Sequence, residues 1–122
     1  MRVLIIGARN PWRMEVAVKR ALQRQGHTVW LFDDRRSRRQ WGFRLTQWRV
    51  RRLRERFRPE FVVLSKCHGL ALETVAGLIR DLPNAMWYHD PQWHRDVQRP
   101  DIAHITAVGR LAQVFFVTGF VE

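Results

Sequence analysis

With a single cysteine, Cys67, in 122 residues, the chain can form no internal disulfide, and a reducing cytoplasm is the expected setting. No apolar run approaches the roughly 18 residues of a membrane span. The short apolar start after Met1-Arg2 has no small-residue cleavage site behind it, so it serves as a strand rather than a signal peptide. Internal repeats, low-complexity tracts and interdomain linkers are missing as well. The length suits one domain with a real core and is too short for two lobes.

Several nucleotide-binding signatures are also missing. A Gly-x-Gly-x-x-Gly loop after the first strand needs glycine where Arg9 and Trp12 stand, which argues against an NAD-type enzyme although Asp33 lies at the distance suited to a ribose. A Walker Gly-Lys-Ser/Thr is absent. A receiver domain needs an acidic cluster meeting its third strand, and here that strand ends in Ser65-Lys66. Cys67, His68, His89 and His94 have no recognised zinc-ligand spacing, so no metal is expected, and Cys67 reads as a small buried residue rather than a nucleophile.

What is present begins with Val3-Leu4-Ile5-Ile6, four branched apolar residues stopped by Gly7 and the turn pair Asn10-Pro11. That pattern predicts a strand buried on both faces, with the loop Gly7 to Pro11 at the carboxyl edge of a parallel sheet. Trp12 to Gln25 carries Met14, Ala17, Val18, Ala21 and Leu22 at helical spacing and stops at Gly26. Gly26 to Asp34 gives the next strand, ending in two acids, which completes a β-α-β unit. Phe61 to Ser65, Ala85 to His89 and Val114 to Thr118 read as further strands. Helices are expected at Leu70 to Leu82 and from an Asp101 cap to about Leu111. The alternation predicts an α/β fold, a three-layer, Rossmann-like doubly wound parallel sheet of about five strands in the order 3-2-1-4-5.

Only Lys19 and Lys66 are lysines, so the formal charge of +11 is carried almost wholly by arginine. Part of this reflects the arginine preference of a GC-rich coding bias. The distribution is nevertheless local: eleven arginines lie between Arg35 and Arg58, opposed only by Glu55. Such a patch invites an anionic partner. A helix from about Arg39 to Phe57 is predicted there, with Phe43, Thr46, Val50, Leu53 and Phe57 facing the sheet. Trp41, Arg44, Leu45, Trp48, Arg51 and Arg52 form the outward face. Another part of a larger protein or an anionic membrane surface would cover it, the latter implying a peripheral position at the inner face of a membrane. Nucleic acid is the less favoured partner, because the arginines lie on one helix without a known motif.

The strand ends gather Arg9, Asn10, Asp33, Asp34, Lys66, His68, His89, Asp90 and Thr118. A ligand cleft is expected where they meet. His89 and Asp90 are the candidates for proton transfer.

Glu60 to Leu70, Glu73-Thr74, Met86 to Pro91 and Val114 to Gly119 resemble the amino-terminal half of CgeB-like (spore maturation type) glycosyltransferases of the GT-B fold. The resemblance implies an acceptor-binding lobe that faces a carboxyl-terminal lobe holding the nucleotide-sugar donor, with no bound metal and no cofactor in this domain. It implies that His89 or Asp90 acts as base or orients the acceptor. Arg9, Asn10, Lys66, His68 and Thr118 would contact substrate. The sequence stops three residues after Gly119 with no helix behind the last strand, so a second lobe is expected to follow and the isolated chain to be inactive. A stand-alone flavodoxin-like binding domain without catalysis is the alternative.

Overall fold

In the computed structural model, which describes residues 1–88 and 100–117, strands and helices alternate along the chain. The first half holds β1 (Arg2–Ile6), α1 (Met14–Arg24), β2 (Thr28–Phe32), α2 (Asp34–Trp41) and α3 (Phe43–Phe57). The second half holds β3 (Phe61–Leu64), α4 (Leu72–Ile79), β4 (Asn84–Tyr88), α5 (Pro100–Leu111) and β5 (Phe115–Val117). The strands form one all-parallel sheet. Among the described residues no helix is long and apolar enough to cross a membrane.

The side chains of β1 alternate between two cores, as a pleated strand requires. Val3 and Ile5 join Leu31 on one face, under Val18 and Leu22 of α1. Leu4 and Ile6 face the other way, where Val50 of α3, Val75 of α4 and Ile105 of α5 pack on Val62, Leu64 and Met86. Burial on both faces is why these strands read as unbroken apolar runs.

The strand order is β2-β1-β3-β4-β5, which corrects the expected 3-2-1-4-5. The third strand pairs with β1, Val3 opposite Phe61 and Ile6 opposite Leu64, and leaves β2 at the edge. The residues account for this. Val3 to Ile6 are all at most 3 % exposed and need a neighbour on each side, whereas β2 carries an exposed Thr28 and a Trp30 that is 50 % exposed. The direction of winding therefore reverses between β1 and β3, and open α/β sheets place ligands at that reversal.

The single helix expected from Arg39 to Phe57 is two helices. Gly42 has φ +83°, a conformation that side-chain-bearing residues rarely adopt, and it ends α2 and starts α3. Asp33 and Asp34, read as the end of the second strand, belong instead to the start of α2. The Asp33 carboxylate accepts from the Arg36 amide at 3.0 Å, which makes it the N-cap. With the helix broken, Phe43 leaves the core stripe and is 44 % exposed, while Thr46 and Val50 are fully buried as expected. The expected Asp101 cap falls inside α5, which begins at Pro100.

Candidate ligand crevice at the carboxyl edge

Three loops rise from the carboxyl ends of β1, β2 and β3. The Gly7 amide donates to the Phe32 carbonyl at 3.0 Å, extending the sheet by one residue before the chain turns away. A Cβ at Gly7 would stand 2.5 Å from Glu15 Cγ, so only glycine lets the first turn of α1 close over the loop. Glu15 is 6 % exposed. Its Oε1 accepts from the Ser65 hydroxyl at 2.8 Å, and its Oε2 stands 3.7 Å from Arg13 Nε, with no hydrogen bond of its own.

The second loop is fixed through Asp33, whose other carboxylate oxygen accepts from the Arg9 amide at 3.1 Å. The third loop is held from three sides. Asp34 accepts from the Gly69 amide at 2.7 Å. Gln47 donates to the Gly69 carbonyl at 2.8 Å and accepts from the Ala71 amide at 3.0 Å. The His104 ring lies 2.8 Å from the Cys67 carbonyl through Nε2. A side chain at Gly69 would collide with the Asp34 carbonyl oxygen at 2.6 Å.

Burial pushes the Asp34 carboxyl above its ordinary range, against the opposing pull of the Gly69 amide. Burial also pushes the Cys67 thiol well up, helped by the neighbouring Asp34 charge. Cys67 is 1 % exposed, so it stays a protonated core residue rather than a thiolate nucleophile.

Between the loops lies a crevice of about 280 Å³, lined by Gly7, Asn10, Ser65 and Lys66 and by the arginines Arg13, Arg35, Arg36 and Arg39. Five cationic side chains face two carboxylates, Asp33 and Asp34. Both of those carboxylates already accept backbone amides, as Glu15 accepts the Ser65 hydroxyl. The described walls thus offer positive charge and leave the acids tied to structure, an arrangement for holding an anion.

Of the residues singled out in the sequence, Asn10 and Lys66 line this crevice. His68 stands on its flank beside Arg38 and Lys66, its ring stacked on His104 at 6.2 Å. Arg9 faces a neighbouring groove along β2. His89, Asp90 and Thr118 lie outside the described residues, as does His94. Among the described residues no three histidine, cysteine or acidic side chains gather as a metal site.

The outward face is also rearranged. Trp41, Leu45 and Trp48 are exposed at 55, 39 and 56 %, but Trp41 belongs to α2. Arg52 lies over the Trp48 ring and bridges to Glu55 at 3.6 Å. Arg51 is exposed, as expected of the outward face, and its guanidinium also reaches the Thr74 hydroxyl of α4 at 3.3 Å. Sequence reading passed over Glu15 and Gln47. An acid in a helix's first turn was the signal for Glu15, whereas a lone glutamine in an arginine-rich helix gives none.

In comparisons with known proteins, no family model, no curated protein and no solved structure matches this chain.

Proposed function

We propose that this chain is the acceptor-side lobe of a two-lobe GT-B-type glycosyltransferase and that its crevice receives an acceptor bearing a phosphate or carboxylate. The observation that carries the reading is the crevice itself. Lys66 and four arginines surround it at the β1/β3 reversal, while the acids of its lining, Asp33 and Asp34, accept backbone amides. Such walls bind and orient, and a Rossmann-like lobe that supplies acceptor binding needs no more from them. The resemblance of Glu60 to Leu70 and Met86 to Pro91 to CgeB-like enzymes supports the same assignment. The nucleotide-sugar and the chemistry on it then belong with a partner lobe.

The test is a titration of the chain with glucose 1-phosphate, followed through its backbone amides. Shifts at Gly7, Ser65 and Lys66, weakened in Lys66→Ala and absent with glucose, are expected. Hydrolysis of a nucleotide-sugar by the chain alone, or no response of these amides to any sugar phosphate, overturns the proposal.

The order β2-β1-β3-β4-β5 is also that of flavodoxin-type sheets and favours a second reading, a non-catalytic binding domain. Inorganic phosphate binding as well as the sugar phosphate would decide for it.

A further inference from the structure

Beside the crevice runs a larger groove, of about 680 Å³, along the outer edge of the sheet. One wall is the end of β2, Trp30 to Phe32, continuing into Asp33; the other is α3, through Trp48, Arg52 and Arg56. β2 is hydrogen-bonded to β1 on one side only, which leaves this edge open among the described residues. Asp33 and Arg36 line both the groove and the crevice, so the two adjoin at these side chains.

The groove combines flat aromatic surface with fixed positive charge. Trp30 and Trp48 are half exposed, and Trp30 meets Phe57 edge-on, at 5.9 Å and 61°. Arg49 is held by the Ser37 hydroxyl at 2.9 Å and lies over Phe32. Among the described residues Arg36 and Arg56 have no ion pair. Trp48, Arg52 and Arg56 succeed one another at four-residue steps of α3, about 6 Å of rise each, comparable with the length of one sugar unit. Sugar rings pack their C–H faces on indoles, and guanidinium groups pair with carboxylate or phosphate.

We infer that this groove holds an acidic oligosaccharide whose end enters the crevice, so that the acceptor is an extended anionic glycan. The inference rests on the acceptor-lobe reading. Charge and aromatic surface alone suit single-stranded nucleic acid as well. Two features favour the glycan. Trp30 and Phe57 meet edge-on rather than as a parallel stack for successive bases, and the groove adjoins a crevice of about 280 Å³, the size of a single small group. A bilayer is disfavoured because the surface is concave, with tryptophans on facing walls.

The experiment is a tryptophan-fluorescence and amide-shift titration of the chain with a galacturonate hexamer, beside maltohexaose, a twelve-nucleotide oligothymidylate and phosphatidylglycerol vesicles. Binding of the acidic hexamer that weakens at least tenfold in Arg52→Gln/Arg56→Gln, and also in Trp48→Ser, is expected, with none for maltohexaose. Circular dichroism separates these surface changes from misfolding. Unchanged affinity in both variants overturns the inference whatever happens in the crevice. Tighter, groove-directed binding of the oligonucleotide or the vesicles overturns it in favour of that partner. Shifts that reach Gly7 and Ser65 support glycan and acceptor lobe together. Shifts confined to Trp30–Asp33 and α3 support the groove and remove the acceptor reading.

Discussion

The Ser65 hydroxyl donates to Glu15 Oε1 at 2.8 Å and so ties the end of β3 to the first turn of α1 across the strand pair where winding reverses. This contact fixes Ser65, which lines the crevice. It also explains Gly7, because the Glu15 stem lies where a Cβ at position 7 would be. Gly7→Ala is expected to cost about 1–3 kcal/mol through overpacking, and much less in a Glu15→Ala background. A double-mutant cycle by urea unfolding measures the coupling. Additive effects would remove the proposed contact.

Gln47 acts as a substitute piece of backbone for the β3–α4 loop. Gln47→Ala strands the buried Gly69 carbonyl and the part-buried Ala71 amide, and the two lost hydrogen bonds amount to roughly 2–4 kcal/mol. Gln47→Glu keeps the bond from Ala71 and replaces the donor to Gly69 with a second acceptor. It should destabilise at neutral pH and recover as the carboxyl protonates. Hydrogen exchange at Gly69 and Ala71 is the readout, and protection unchanged in Gln47→Ala would be the contrary result.

Asp34 gives the chain a pH-dependent component of stability. Its folded value lies above the ordinary 3.8 because burial disfavours the charge, so the native state binds the proton more tightly than the unfolded chain. The associated stability is complete below about pH 3.8 and is lost as pH rises through the folded value. Asp34→Asn, which retains an oxygen for the Gly69 amide, should flatten that part of the profile and gain on wild type toward neutral pH. Denaturant unfolding across pH 3 to 8 tests this, and parallel profiles would count against it.

The arginine run divides into structural and surface members. Arg54 donates to the Leu78 and Arg80 carbonyls, each at 2.8 Å, and satisfies the end of α4 with its planar fork. Arg54→Ala is expected to cost about 1.5–3 kcal/mol, charge-assisted bonds being stronger than neutral ones. Lysine should not restore it, because one ammonium cannot span both carbonyls. Exposed Arg44→Ala should change stability by no more than about 0.5 kcal/mol. Equal thermal shifts for the two alanine variants would refute the division.

Much of the secondary structure was legible because each buried strand is a short apolar run with a turn residue behind it. Val3–Ile6 before Gly7 and Phe61–Leu64 before Ser65 needed no further information. Strand adjacency did not follow from those runs. It depends on how far the α2–α3 hairpin carries the chain, and the only local hint was the half-exposed pattern of Thr28 and Trp30. Helical periodicity ran through Gly42 uninterrupted, so the break there was hidden by the very spacing that revealed the helices. At the candidate site, clustering of Asn10 with Lys66 followed from strand polarity alone. Roles such as those of Glu15 and Gln47 depend on which loop faces each side chain, and residue spacing within one element does not carry that information.

Gly42 shapes the electrostatic field as well as the backbone. A straight helix would have strung the arginines along a rod, with the potential falling away on all sides. Turning the corner at one glycine sets Arg36 on one flank and Arg52 and Arg56 on the other, with the low-dielectric sheet edge between them. Field lines then converge inside the trough. Diffusing anions would be gathered toward the sheet's edge and slide along it, and salt would slow their capture more than it speeds their release.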